Sequence, residues 1–327
     1  MNAAPSRIRL IACCILAGGL LGSGAATAAG PTSQSSEPAR VSFTTDDGVM
    51  IVGDYYAPKA PPKEGAPVVI LLHMYQRTRS DWQPLVPHLR DAGFAVLAID
   101  LRGHGESRLP GADASTDGPA SNDRKVYRAM YQDVMAAYAW LGQQKAIDLT
   151  RFAMVGASLG CSVAIDYAAR DRSVDAMVCL SPGTNYLGVS TTTHIKKCTG
   201  QKILLLASQA EAIAATELGR LAADTRVMIT PEDPNDPRAA ALHGTQMFGR
   251  APDIERTITA FLTESVGLPA TAPVVASLKS TEKVYHVPGT AHADRIRPEN
   301  RRWFSSAAEA EARGLRPVKS RKSGAGQ

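Results

Sequence analysis

One serine stands in a pattern suited to nucleophilic chemistry. The pattern G-x-S-x-G occupies residues 156–160, with Ser158 at its centre, between the apolar run 152–155 and a helical run that begins at Leu159. A serine on so sharp a strand-to-helix turn has a strained backbone that exposes its hydroxyl above the sheet. The first amides of the following helix point toward an oxyanion that forms beside that hydroxyl. The pattern therefore predicts acyl transfer through Ser158.

The segments around this turn alternate between strand and helix patterns. Residues 41–45 and 49–56, joined by an Asp-Asp-Gly turn, predict a hairpin. Apolar strands that are separated by helices form a parallel sheet covered on both faces, so the sequence predicts an α/β fold. The further predicted strands are 67–72, 94–99, 152–155, 176–180, 203–207 and 226–230, and the main predicted helices are 82–92, 126–144 and 251–266.

Three landmarks besides the serine turn carry a family resemblance. They are H-M-Y at 73–75, D-L-R-G-H-G-E-S at 100–107 and H-G at 243–244. With G-x-S-x-G, they make about residues 40–266 resemble the α/β-hydrolase superfamily, and within it the small lidless dienelactone-hydrolase type. The resemblance implies an α/β-hydrolase domain over 40–268, with a mostly parallel sheet, helices on both faces and no large cap domain. Relatives usually carry His-Gly where this chain has His73 and Met74.

The resemblance also implies the order serine, acid, histidine along the chain. In that order the base is His243, in a loop after the final strand, and the acid follows the sixth or the seventh strand. The sixth-strand turn 181–185 holds no carboxylate, so the predicted acid is Glu211 after the seventh strand, with Asp233 and Asp236 as alternatives. The histidines set aside are His73, His88, His104, His194, His286 and His292.

The implied mechanism needs only side chains and backbone amides. His243 removes the Ser158 proton, Glu211 orients the imidazole, and the amides of Leu159 and Tyr75 hold the oxyanion. The short connections predict an open cleft for a small-molecule ester substrate. The sequence shows no metal cluster, phosphate-binding loop or dinucleotide fingerprint, so we expect no cofactor and no metal.

The first residues have the pattern of an export signal. Arg7 and Arg9 precede the apolar run 10–21, and an A-x-A cleavage pattern ends at Ala28. The sequence therefore predicts a signal peptide over 1–28, a linker over 29–39 and a bacterial protein that is periplasmic or secreted. A lipoprotein cleavage site at Cys13 is the alternative. No later run is long enough to be a transmembrane segment.

The cysteines of the exported chain do not form a disulfide framework. Only Cys161, Cys179 and Cys198 follow the predicted signal peptide. We expect small buried thiols at Cys161 and Cys179. Export leaves one disulfide open as an alternative.

The segment 269–327 differs from the hydrolase domain in pattern and charge. Residues 281–322 resemble the small metal-binding module of Ada-type DNA repair proteins, which uses cysteines to bind zinc. The matching positions here are Thr290, Val318 and Ser320, so the resemblance implies that the zinc site is lost. Because the predicted catalytic residues all precede it, we expect this tail to be dispensable for chemistry.

Charge separates the same two regions. The whole chain carries a net charge of +5, and residues 290–327, with nine Arg and Lys against four Asp and Glu, carry +5 on their own. A basic tail favours contact with a polyanion or the cell envelope, and a solubilising, partly disordered tail is the alternative. Export argues against a specific nucleic-acid partner.

These features leave two classes of function open. The first is a serine hydrolase of carboxylic esters, with peptidase and acyltransferase chemistry as neighbouring activities. The second is a non-catalytic binding protein on a hydrolase scaffold, for which Met74 and the glutamate acid are the arguments. The two classes differ in whether Ser158 is activated.

Overall fold

The computed structural model describes residues 37–60, 62–63, 65–111, 123–231, 237–267, 273–297 and 300–318. The predicted signal peptide, most of the predicted linker, Asp233, Asp236 and Ser320 lie outside these residues. No helix within these ranges has the length and apolarity needed to cross a membrane.

An eight-stranded sheet forms the centre of residues 40–268, the segment predicted to be the α/β-hydrolase domain. Its strands lie in the order β1-β2-β4-β3-β5-β6-β7-β8. β1 and β2 form the predicted antiparallel hairpin, β2 pairs antiparallel with β4, and every other pairing is parallel. The prediction of an α/β fold with a mostly parallel sheet is confirmed. The strands are β1 Ala39–Thr44, β2 Met50–Tyr56, β3 Ala66–Leu72, β4 Ala95–Ile99, β5 Ile147–Ala157, β6 Ala176–Leu180, β7 Lys202–Ala207 and β8 Thr225–Ile229.

Helices cover both faces of this sheet, as continuous apolar strands require. Along β3, Val68 and Ile70 pack on one face, whereas Val69 and Leu71 pack on the other. Helices α2 to α6 contribute to the first core, and α1 and α7 contribute to the second. The helices are α1 Val86–Asp91, α2 Arg124–Ala129, α3 Tyr131–Leu141, α4 Leu159–Arg170, α5 Thr191–Ile195, α6 Ala212–Gly219 and α7 Ile254–Ser265.

Two predicted helices are each divided in the structure. In the segment 82–92, Trp82 ends the 3-10 turn Arg79–Trp82, and the α-helix α1 begins only at Val86. Pro84 and Pro87 explain this division, because proline lacks the amide that a helix interior needs. The segment 126–144 contains α2 and α3, which are separated at the fully buried Met130. Neither proline nor glycine marks that second break.

The three cysteines in the described ranges are unpaired and buried. Cys161, on α4, donates its thiol proton toward the carbonyls of Gly156 and Leu180. Cys179 and Cys198 are also free thiols. The expectation of small buried thiols at Cys161 and Cys179 is confirmed.

The described part of the tail is a folded unit with its own small sheet. Four strands lie in the order β11-β9-β10-β12, and Val274, Tyr285 and Phe304 lie in a small core beneath them. Its elements are β9 Val274–Ser277, β10 Val284–His286, α8 Ala291–Asp294, β11 Arg301–Phe304, α9 Ala307–Ala312 and β12 Arg316–Pro317. Disorder, which the alternative of a partly disordered tail allowed, is wrong for these residues.

Buried ion pairs join this unit to the end of α4. Arg302 of β11 pairs with Asp171, directly after α4, and these side chains are 3% and 1% exposed. The Arg302 guanidinium also lies over the Tyr138 ring, 4.6 Å from its centroid. Arg313 pairs with Asp175 at 2.7 Å, in a setting almost as buried. Two charges leave water only when they have such partners, so the tail is packed on the hydrolase domain.

This packing predicts a large loss of stability when Arg302 is replaced. Arg302→Met removes the partner of a buried carboxylate, which costs about 3–5 kcal/mol in the free energy of unfolding. The matched control is Lys279→Met, which breaks the exposed tail-to-domain pair between Lys279 and Asp46 and costs about 1 kcal/mol or less. Urea unfolding of both variants measures the difference.

Equal losses in the two variants would contradict the buried role of Arg302.

The buried pairs of Arg302 and Arg313 also change the expectation from the sequence that the tail is dispensable. A chain that ended at Leu268 would lose Arg302 and Arg313 and leave Asp171 and Asp175 without these partners. We therefore expect truncation to destabilise the hydrolase domain.

Candidate active site

Ser158 lies on a strained turn between β5 and α4. Its backbone has φ 49° and ψ −110°, a positive φ that residues other than glycine rarely adopt. Its amide donates to the Leu180 carbonyl on the neighbouring β6 at 2.9 Å. The strand, the strained serine and the helix are the elements that the G-x-S-x-G pattern predicts.

The two flanking glycines are required by close backbone contacts. A Cβ atom at Gly156 would lie 2.4 Å from the carbonyl carbon of Gly160, and a Cβ atom at Gly160 would lie 2.0 Å from the Leu72 carbonyl oxygen. Backbone atoms at such distances cannot give way to a side chain. The glycines therefore allow α4 to begin directly beside β3 and β5.

Glu211 and His243 contact each other although 32 residues separate them in the chain. Glu211 ends the 3-10 turn Gln209–Glu211 that follows β7, and His243 precedes the 3-10 turn Gly244–Met247. The His243 Nδ1 atom lies 2.5 Å from the Glu211 Oε1 atom. With Nδ1–H as donor to the carboxylate, Nε2 is left with a lone pair that can accept a proton.

The pKa values of this pair move in the directions that favour an ion pair. The hydrogen bond that His243 donates to Glu211 raises the pKa of His243 above its ordinary value, and burial opposes this increase only in part. Burial acts to raise the pKa of Glu211, but the hydrogen bond from His243 and the influence of the Ser181 hydroxyl hold it below its ordinary value. The carboxylate therefore stabilises a protonated imidazole, which is the task of the acid in acyl transfer.

Ser158, Glu211 and His243 line one open cleft of about 440 Å³. Within the described ranges no hydrogen bond joins Ser158 to His243, and such bonds often form only when substrate is bound. The sequence patterns gave no signal for the other residues of the cleft. They are Ser181, Pro182, Gly183, Thr184, Tyr186, Ala210, Ile213, Ala214 and Glu217.

The predicted oxyanion amides belong to two different segments. Leu159 is the first residue of α4, where backbone amides have no partner within the helix. Tyr75 follows β3 in a loop that His73 holds, because its Nδ1 atom lies 2.6 Å from the Met74 carbonyl and its Nε2 atom accepts from the Leu101 amide at 2.9 Å. The oxyanion role of both amides stays a prediction.

Met74, in the loop after β3 that carries Tyr75, contacts the loop that carries His243, which we call the base loop. Its side chain is buried, and a Cβ atom at Gly244 would lie 2.3 Å from the Met74 sulfur. The departure from the His-Gly pattern of relatives is therefore matched by a glycine next to His243. The sequence alone gave no indication of this contact.

The histidines that the sequence set aside are occupied elsewhere. Burial lowers the pKa of His73 to about 4, and burial with the neighbouring His73 lowers that of His104 to about 4, so both stay neutral in the interior. His194 faces Asp166 at 3.2 Å on another part of α4. His286 and His292 stack on each other in the tail.

Two of the three positions that the sequence matched to zinc ligands, Thr290 and Val318, lie in the described ranges, and neither carries a thiolate. The Thr290 hydroxyl donates to the Val287 carbonyl at 2.7 Å and caps α8, and Val318 has no ligating atom. A hydroxyl that caps a helix and an aliphatic side chain cannot replace thiolates as zinc ligands. In the part of the chain that the structure describes, no three His, Cys, Asp or Glu side chains form a candidate metal site. The resemblance to the Ada-type module itself stays a prediction.

Comparisons with known proteins agree with this architecture. Residues 67–224 match the family model described as the alpha/beta hydrolase fold. An uncharacterized protein of Mycobacterium tuberculosis is 33% identical over 166 residues, which make up 50% of this chain and 53% of that protein. The chain thus spans about half the length of this curated relative.

Solved structures extend the agreement beyond the matched segment. An esterase of Pyrococcus furiosus has a TM-score of 0.54 at 18% identity, covering 71% of this chain and 93% of its own. A dienelactone hydrolase of Anabaena variabilis has a TM-score of 0.50 at 17% identity, covering 70% and 97%. The chain has the α/β-hydrolase fold, and no cap domain is evident in the described ranges.

Proposed function

We propose that the protein is a serine hydrolase that cleaves carboxylic esters through an acyl-enzyme at Ser158. The observation that carries the proposal is the contact between Glu211 and His243 in the cleft that Ser158 lines. A histidine oriented by a carboxylate beside a serine on a strained turn is the arrangement needed to activate a hydroxyl.

The reaction follows from the roles of these side chains. His243 Nε2 takes the proton of the Ser158 hydroxyl while the serine oxygen attacks the ester carbonyl. The amides of Leu159 and Tyr75 stabilise the oxyanion of the tetrahedral intermediate. The protonated His243 then gives its proton to the leaving alcohol, and a water molecule, activated in the same way, releases the acyl group.

The cleft favours a small-molecule ester with an apolar part. Ile213 is 75% exposed at the cleft, and Ala210, Ala214 and Tyr186 add further apolar surface. A large exposed aliphatic side chain beside a candidate nucleophile offers a contact for an acyl or alcohol group. The open shape suits a substrate that enters without a lid movement.

Export and a cell-envelope contact belong to the same proposal. The charged start, apolar run and A-x-A pattern of residues 1–28 support delivery to the periplasm or the medium. The basic tail supports weak contact with a polyanion, although Arg302 and Arg313 are engaged in buried ion pairs. Any such contact depends on the other basic residues and weakens as salt rises.

Fluorophosphonate labelling tests the proposal directly. We expect one molar equivalent of label on Ser158, found by peptide mass spectrometry, in native protein and none in protein denatured before labelling. The control variant is Ser162→Ala. Ser162 lies on α4, and its hydroxyl is hydrogen-bonded to Thr191 rather than facing the cleft. This variant should still be labelled at Ser158.

The outcomes separate the two classes of function. Absence of label in the folded protein would favour a binding protein on a hydrolase scaffold. Label at Ser158 together with cleavage of amides rather than esters would move the reaction to peptidase chemistry. Transfer of the acyl group to an added alcohol in preference to water would indicate an acyltransferase.

A further inference from the structure

Ser181 directly follows β6 and has a strained backbone. β6 lies between β5, which leads to Ser158, and β7, which leads to Glu211. The φ of Ser181 is 57°, in the left-handed region that disfavours residues with a side chain. Its amide donates to the Leu206 carbonyl of β7 at 2.7 Å, and the residue is 4% exposed. Strained and buried residues of this kind persist where the surrounding structure fixes them, often at functional sites.

The Ser181 hydroxyl accepts a hydrogen bond from the base loop. The Gly244 amide, next to His243, donates to Ser181 Oγ at 2.8 Å. A serine hydroxyl has two lone pairs and one proton. With one lone pair occupied by Gly244, its proton is left to be donated elsewhere.

The Glu211 carboxylate offers the acceptor for that proton. Its Oε1 atom accepts from His243, whereas its Oε2 atom is buried and has no hydrogen-bond partner within the described ranges. Ser181 and Glu211 line the same cleft, and the Ser181 hydroxyl contributes to holding the pKa of Glu211 below its ordinary value. A buried carboxylate oxygen without a donor is unfavourable. Glu211 Oε2 is therefore the acceptor to which the Ser181 hydroxyl can donate its proton.

We propose that Ser181 is a positioning residue whose hydroxyl joins the acid to the base loop, donating to Glu211 and accepting from Gly244. This inference rests on the proposed function. Through these two bonds one side chain sets the orientation of the carboxylate and the place of the loop that carries His243. Without the hydroxyl, the carboxylate can rotate, and the Glu211–His243 contact loosens.

The loosened contact should change both the rate and the pH dependence of Ser158 labelling. A hydrogen bond to a charged group corresponds to a loss of on the order of 10- to 100-fold in the second-order rate constant of fluorophosphonate labelling. His243 must be neutral to act as base, so labelling falls as the pH drops through its pKa. Because Glu211 raises that pKa, a weaker contact moves the acid limb of the profile to lower pH.

Two variants separate the hydroxyl from the strained backbone. Ser181→Ala keeps the Cβ atom, and Ser181→Gly relieves the positive φ, while both remove the hydroxyl. We expect both to show the slower labelling and the shifted limb. The control is Ser208→Ala, because the Ser208 hydroxyl, three residues before Glu211, is buried and makes no hydrogen bond within the described ranges; its profile should match that of the unmodified protein.

Each outcome bears on one claim. Native rates and an unmoved acid limb in both Ser181 variants, with Ser158 labelled, would overturn the positioning role and leave the hydrolase proposal in place. A native profile for Ser181→Gly alone would assign the effect of Ser181→Ala to backbone strain, and would also overturn it. If Ser181→Ala fails to fold, Ser181→Gly still provides the test. Failure of the unmodified protein to label at all would instead count against the proposed function.

Discussion

Ser158→Ala and His243→Ala should each reduce the hydrolysis of a short-chain p-nitrophenyl ester by about 10⁴-fold or more. The serine supplies the bond to the acyl group, and the histidine supplies the proton transfer without which a neutral hydroxyl is a weak nucleophile. Steady-state turnover at pH 8, with folding checked by circular dichroism, measures both losses.

The double variant sharpens this prediction. Because serine and histidine act as one unit, removing both should cost little more than removing either. The control is His88→Ala, which replaces an exposed histidine of α1 and should keep native turnover. A single variant with near-native turnover would remove that residue from the mechanism, and strictly additive losses would show that the two residues act independently.

The main parts of this site could be predicted because the fold brings chain-distant residues to one edge. The carboxyl ends of parallel strands lie together, so loops after β5 and β7 meet there whatever the distance between them in the chain. The G-x-S-x-G pattern placed Ser158 on the first of these loops, and the family resemblance implied Glu211 on the second. The 2.5 Å contact between Glu211 and His243 agrees with this ordering.

The supporting contacts could not be predicted for a physical reason. Ser181 follows β6 in a turn without a carboxylate, and its meaning depends on where its hydroxyl points relative to Gly244. From the sequence, Met74 is only a departure from the pattern of relatives. The structure adds that its sulfur lies against Gly244. Such contacts join loops that have no periodicity, so their partners are set by tertiary packing alone.

The tail illustrates the same limit on a larger scale. Its missing cysteines indicated a lost zinc site, and a partly disordered tail was the alternative. The structure instead shows Arg302 and Arg313 in buried pairs with carboxylates at the end of α4 and just before β6. A count of charges along the chain cannot distinguish a solvent-exposed arginine from one that forms a buried ion pair with an aspartate far away in the sequence.

The second large effect concerns the acid, for which the sequence left three carboxylates open. Glu211→Gln should reduce ester turnover by about 10³–10⁴-fold while the fold stays intact. The amide can donate to His243 Nδ1 and so favour the wrong tautomer, and it cannot stabilise the imidazolium. Asp233→Asn and Asp236→Asn are the matched controls and should reduce turnover by no more than a few-fold.

The pH profile identifies why the Glu211 variant is slow. Glu211 raises the pKa of His243, against the lowering by burial, so its loss should move the acid limb of kcat/KM to lower pH as well as lower the plateau. A glutamate reaches one methylene further than aspartate, which suits an acid that begins on the 3-10 turn after β7 and meets the base loop at 2.5 Å. We therefore also expect Glu211→Asp to fall between the unmodified protein and Glu211→Gln, because it keeps the charge but shortens the reach. If Asp233→Asn or Asp236→Asn proves the slow variant and Glu211→Gln is mild, the acid lies in the loop before His243, and the Glu211 contact is structural.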